Sequence, residues 1–196
     1  YCARANEYDD WFLRRGRYDR GRELKDQWLA EAAVVRQALH QLGQFGSILE
    51  LACGTGIWTQ ELLPLAKDIT AIDASGEMID INRQRLRSSR VQYRQQDLFD
   101  WEPDREFDLI VFAFWLSHVP PELLDSFLDK VRRSVRVGGS LFVVDSLYDP
   151  TSTAKNHTLA DKGQNWQVRK LADGREYQVV KVFYDPEGLQ EKLWRL

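Results

Sequence analysis

Cysteine is scarce in this chain. Cys2 and Cys53 are its only two, one near the start and one in an expected loop, which gives neither a disulfide framework nor metal-ligand spacing. A reducing compartment, the cytoplasm, is the expected location. No apolar run approaches the roughly 20 residues needed to span a bilayer, and no signal-peptide pattern precedes the first charges, so no membrane association is expected. An excess of positive charge is also missing. The formal net charge is -3, so no overall field gathers a phosphate backbone, and nucleic acid is not an expected partner. There is no internal repeat, no low-complexity linker and no initiating Met; the last of these is read as residues missing at the front.

What is present is ordinary globular material. The 196 residues, 43% hydrophobic and 29% charged, suit one domain with a full core and are too few for two comfortable ones. One domain over 1–196 is expected: helices over 1–46, a ligand-binding core over 47–147, and a hairpin with a terminal helix over 148–196. Residues 3–14 suggest a short amphipathic helix. Leu24, Trp28, Val35, Leu39 and Leu42 recur at helical steps before a stop at Gly43.

The pattern then changes. Ser47–Ala52, Ile69–Asp73, Val91–Tyr93, Phe107–Phe114 and Ser140–Asp145 are short, mostly apolar runs, as expected of strands buried on both faces. Helices are expected between most of them: one just beyond Gly56, one capped by Ser75, and one opened by Pro120-Pro121 and closed by Gly138-Gly139. Strands alternating with helices predict an α/β fold, a doubly wound, mainly parallel sheet with helices on both faces. Later the rhythm breaks. Trp166–Leu171 and Glu176–Tyr184 flank Asp173-Gly174, which predicts an antiparallel hairpin with a two-residue turn, and Pro186–Leu196 reads as a last helix.

Ile48-Leu-Glu-Leu-Ala-Cys-Gly-Thr-Gly56 is the strongest local signal. A buried strand enters a glycine turn that opens a helix; missing Cβ atoms at Gly54 and Gly56 admit a ligand to the backbone, and the helix terminus offers N–H groups to an anion. Plain strand-to-helix packing also uses such turns. Thr59 occupies the position where a dinucleotide fingerprint needs a small residue, which speaks against a nicotinamide cofactor. Glu50, a carboxylate in an otherwise apolar strand, needs donors or a cation. Asp73, ending the next strand, stands where a carboxylate can accept both ribose hydroxyls, or else caps a helix or is a solvated strand end.

Glu50-x-Ala52-x-Gly54-x-Gly56 resembles the first motif of the class I S-adenosylmethionine-dependent methyltransferases, acidic-x-Gly-x-Gly-x-Gly, with alanine for the first glycine. The likeness runs from about Ser47 to Ser146. It implies a Rossmann-like fold, S-adenosylmethionine as cofactor and methyl transfer to a small-molecule acceptor by in-line displacement. It also implies cofactor-binding roles for Glu50, Ala52, Gly54, Gly56, Asp73, Ala74, Met78, Asp97, Leu98 and Phe114. Of these, Asp73 would hold the ribose, Asp97 the adenine amino group, Leu98 would donate through its backbone N–H, and Met78 would pack on the adenine face, although Met78 also reads as a core residue. The family's sheet normally gains two more strands after its last helix, so a chain stopping at Leu196 is expected to be truncated, incompletely observed or unusual.

Phe114, Trp115, Ser117 and His118 follow the fourth strand, where ligands gather in parallel sheets. The Asn/Asp-Pro-Pro-aromatic motif of enzymes that methylate nucleic-acid amines is absent there. His118 is the candidate general base, since its intrinsic pKa suits that role; holding a loop carbonyl or helping to position the cofactor is the alternative. Tyr18, Trp115 and His118 are the candidate acceptor-binding residues. No metal is expected. The cluster Arg14, Arg15, Arg17, Arg20, Arg22 and Lys25 is either a solvated face or, in part, a carboxylate or phosphate reader. Arg83, Arg85, Arg87, Arg90 and Arg94 read as outer charges. Trp166, Tyr177, Phe183 and Tyr184 of the hairpin either wall the acceptor pocket or pack. Two other readings stand beside this one: a nicotinamide-dependent oxidoreductase on the same sheet, and a protein that binds S-adenosylmethionine without chemistry.

Overall fold

The computed structural model describes residues 5–157, 159, 161 and 163–193. Five strands form one parallel sheet: β1 (Phe45–Leu51), β2 (Ala66–Asp73), β3 (Val91–Gln95), β4 (Phe107–Ala113) and β5 (Val135–Val144), in the order β3-β2-β1-β4-β5. The chain runs outward from β1 to β3 and returns on the other side of β1. The order therefore reverses between β1 and β4, the crevice where ligands of such sheets bind.

Alternation along the strands builds a core on each face. Ile48, Ile69, Ala71, Leu109 and Val111 meet α1 (Ala5–Phe12), α2 (Arg22–Gln41), α3 (Ile57–Leu62) and α4 (Gly76–Leu86) on one side. Leu49, Leu51, Ile72, Ile110 and Phe112 meet α5 (Pro121–Ser134) and α6 (Pro186–Leu193) on the other. Both faces being covered is why these strands read as nearly continuous apolar runs.

Three expectations need correction. Gly138 and Gly139 do not close α5, which stops at Ser134; they lie in a bulge, where Phe107 pairs with Val135 and Leu109 already with Ser140. β6 (Trp166–Lys170) and β7 (Glu176–Val180) form the expected antiparallel hairpin, but its turn is longer than Asp173-Gly174 alone. Leu171 N–H donates to the Arg175 carbonyl (2.8 Å) and Gly174 N–H to that of Leu171 (3.1 Å), with Gly174 at φ 89°. That is a three-residue loop, a turn followed by a left-handed glycine. Thirdly, α1 covers only Ala5–Phe12 of the expected 3–14 helix: 3 and 4 lie outside the described residues, and Leu13 and Arg14 fall beyond its end. The expected last helix is described as far as Leu193; 194–196 and Cys2 lie outside the described residues.

Candidate functional site at the carboxyl edge of the sheet

The glycine turn begins where β1 ends. Ala52, standing where the motif has glycine, takes φ 56°, and Phe114 takes the same value at the tip of β4. Two non-glycine residues in the left-handed region, on adjacent strands at the switch point, store strain of a kind that clusters at functional sites. Gly54 and Gly56 follow at φ 52° and 90°. A Cβ at Gly54 would meet nothing within 4 Å, whereas one at Gly56 would fall 2.5 Å from Asn82 Oδ1. Gly54 thus faces open space, and Gly56 is small so that α3 and α4 can meet.

Asp73 connects two turns. Its Oδ2 accepts from Gly54 N–H and its Oδ1 from Ser75 N–H, each at 2.9 Å. Burial raises its pKa from the ordinary value, while these N–H bonds act in the opposite direction. Each carboxylate oxygen has two acceptor directions, so both keep capacity for a ligand's hydroxyls. Ser75 caps α4 by accepting from Met78 N–H (3.2 Å).

Among the described residues, Glu50 finds a donor but no cation. It is 2% exposed, takes a hydrogen bond from Thr59, and its Oε2 has no partner. Burial pushes its carboxyl up to about 8. Thr59 in turn accepts from Asn82 Nδ2 (2.8 Å), and Asn82 Oδ1 accepts from Tyr93 (2.8 Å). Thr59 therefore fills the third position of the turn with a hydroxyl that Glu50 uses.

Along the tips of β2 and β3, Ala74 is exposed, Met78 is buried outside the two apolar clusters, Asp97 is exposed and Leu98 is buried. Asp97 Oδ1 accepts from Phe99 N–H at 2.9 Å. Trp115 lies on this side. Its ring contacts Phe99 (5.6 Å) and Phe127 (6.4 Å), and its carbonyl accepts from His118 N–H (2.7 Å), whereas Tyr18 lines a recess that Trp115 does not border. The residues leaving β4 turn in opposite directions: Phe114 instead meets Trp11 (5.1 Å), Phe12, Trp28 and Trp58. These last three and Phe114 border a cavity of about 250 Å³ that reaches Asp145 and Ser146 at the end of β5.

Tyr18 is buried and lines a smaller recess, about 50 Å³, with Arg17, Gln167, Arg169, Lys181 and Ser146. His118 stands behind it. Its Nδ1 lies 2.6 Å from the Val180 carbonyl, which assigns the proton to Nδ1, and Nε2 faces Arg169 Nη2 at 3.4 Å. The amino-terminal arginines are not one solvated face. Arg14 donates to the Ser152 carbonyl, Arg17 to that of Lys170, and Arg20 to those of Thr153 and Ala154. Arg85 is not simply an outer charge either: it ion-pairs with Asp9, which also accepts from Thr55 (2.6 Å) and so holds α1 over the glycine turn.

Gln167, Arg169, Lys181 and Asp145 were not singled out by the sequence reading. The signal was there in part. Gln167 and Arg169 of β6, with Leu171 just beyond it, alternate on the inward face, with two polar side chains where apolar ones are usual.

A parallel sheet of this order, with an acidic strand tip bonded to a glycine turn at its switch point, defines a Rossmann-like nucleotide-binding protein. Comparison with known proteins narrows the class. Residues 48–139 match the family model of a methyltransferase domain. DhpI, solved with S-adenosylhomocysteine (SAH), is 37% identical, with all of this chain aligned to 82% of that one at a TM-score of 0.77. Its complex with SAM and HEP gives 36% identity and a TM-score of 0.79. An uncharacterized methyltransferase of Staphylococcus carnosus is 32% identical over 104 residues, 53% of this chain and 49% of that one. A ubiquinone biosynthesis O-methyltransferase of Xanthomonas campestris is 28% identical over 146 residues, 72% and 58%. This chain belongs to the class I S-adenosylmethionine-dependent methyltransferases. It spans about half the length of these two curated relatives.

Proposed function

We propose that the protein transfers the methyl group of S-adenosylmethionine to a small-molecule acceptor. The carrying observation is the Asp73 carboxylate, bonded to Gly54 N–H, beside a glycine with open space at its Cβ position. The residues fit the cofactor. Asp73 would accept the ribose hydroxyls through its remaining lone pairs, the turn from Ala52 to Gly56 would admit the amino-acid end, and Met78 and Leu98 would flank the base, with Asp97 accepting from its amino group. Glu50 supports the turn through Thr59 and Asn82.

When bound, S-adenosylmethionine supplies a methyl group already activated on a sulfonium. The chain has then to align an acceptor lone pair and exclude water. The cluster of Trp11, Phe12, Trp28, Trp58 and Phe114 does the second, since α1 and α2 close these rings over the strand tips. His118 was expected as a general base. The orientation of its ring, between the Val180 carbonyl and Arg169, better supports a positioning role for that guanidinium. A buried thiol at Cys53 suits the cytoplasm.

Calorimetric titration tests the reading. SAH binds the wild-type protein and NADH does not; Asp73→Ala weakens SAH by about tenfold to a hundredfold, the cost of charge-assisted hydrogen bonds. Equal affinity of the variant for SAH rejects the assigned pocket, and NADH binding revives the oxidoreductase reading. Binding of SAH without methyl transfer to any component of a metabolite extract favours the non-catalytic reading.

A further inference from the structure

The hairpin of β6 and β7 is built inside out. Gln167 opposes Val179 and Arg169 opposes Tyr177, so Gln167 and Arg169 share the face turned toward the sheet, and Lys181 continues it. Gln167 is 5% exposed and Lys181 7%, while Trp166 and Val168 on the outer face are 45% and 41% exposed. An indole and a valine stay in water and an amide and an ammonium leave it. Such a reversal opposes the hydrophobic preference and needs polar partners to offset it.

The recess behind this face has that character. Arg17, Arg169 and Lys181 line it with His157 and Tyr18, and no carboxylate is among the described lining residues. Each cation is held from behind. Arg17 Nη2 donates to the Lys170 carbonyl, leaving Nε and Nη1 buried with no hydrogen-bond partner and Nη1 3.7 Å from Glu7. Arg169 is placed by His118. Lys181 Nζ donates to Ser117 (2.7 Å) and reaches Asp145 Oδ1 at 3.4 Å. Asp145 is shared with backbone donors, accepting from Ser117 and Ser146 N–H at 2.8 Å each. Three fixed cations thus line one recess, Arg17 reaching Glu7 and Lys181 reaching Asp145. Ser146 and Ser152 line both this recess and the aromatic cavity beside Phe114, so the two are contiguous.

We infer that the acceptor is a small molecule bearing a terminal oxyanion group, carboxylate or phosphoryl, held in this recess by Arg17, Arg169 and Lys181. The inference rests on the methyltransferase reading, and its test separates the two. SAH-loaded protein is titrated with butyrate, ethylphosphonate, butanol and butyramide. One of the oxyanions binds and neither neutral compound does; which oxyanion it is distinguishes the carboxylate from the phosphoryl source. Arg169→Gln and Lys181→Gln each weaken that oxyanion by about tenfold or more, the worth of a charge-assisted hydrogen bond, and leave SAH affinity as in the wild type. Lys155→Gln, an exposed neighbour outside the recess, leaves both unchanged. Neutral compounds binding as tightly as oxyanions, oxyanions binding both recess variants undiminished, or no oxyanion binding while SAH binds overturns the inference. Silence with SAH itself instead rejects the methyltransferase reading.

Discussion

Glu50 shows how one side chain is read differently at each level. From sequence it is an acid in an apolar strand that needs a partner; in the fold it receives one hydroxyl and remains largely protonated at neutral pH, its carboxyl shifted from 4.5 to about 8 by burial. The sign of the consequence follows from proton counting. Between those two pH values the unfolded chain has released the proton and the folded chain retains it, so stability falls as pH rises through that window and levels off above it. Glu50→Gln removes the titration. Relative to wild type the variant gains on the order of a few kcal/mol between about pH 5 and about pH 8, read from urea unfolding at the two pH values. A wild-type difference that does not move with pH contradicts the buried protonated acid. Ala52 carries the complementary lesson: its motif position was legible, but its left-handed φ became visible only with the turn built.

Elements were legible where their signals are local. Ser75 was readable as a cap because a hydroxyl before a helical run can accept from the first turn, and it does. Ser75→Ala costs about 1 kcal/mol of unfolding free energy in a denaturant titration; no loss places the cap elsewhere. Boundaries set by pairing were less readable. Gly138-Gly139 has the chemistry of a helix stop, yet pairing of Val135 with Phe107 ends α5 earlier and leaves the glycines in a bulge. The hairpin turn gained a residue because the Leu171 and Arg175 backbones pair across it. Its inward polar face was missed because the usual expectation for strands is apolar-in, and nothing local marks an exception.

At the scale of the molecule, segments distant in sequence close over the strand tips. Asp9 holds α1 to Thr55 and Arg85, Trp11 and Arg14 bond the Ser152 carbonyl, and Arg17 bonds that of Lys170 in the hairpin. Binding at the glycine turn should therefore be felt in α1. Amide exchange measured with and without SAH is expected to slow over Ala5–Phe12 as well as around Gly54; protection confined to the turn would show that α1 is not part of the site. The sequence by itself determined the parallel sheet, the glycine turn and the Asp73 strand tip, because short apolar runs and the spacing of glycines and acids at their ends are set by neighbouring residues. Only the tertiary structure decided that Glu50 leans on Thr59, that the Trp115 ring packs on Phe99 and Phe127, and that Arg17, Arg169 and Lys181 surround one recess. Those relations join residues up to 164 positions apart, and their energies depend on burial and distance, which no local pattern encodes.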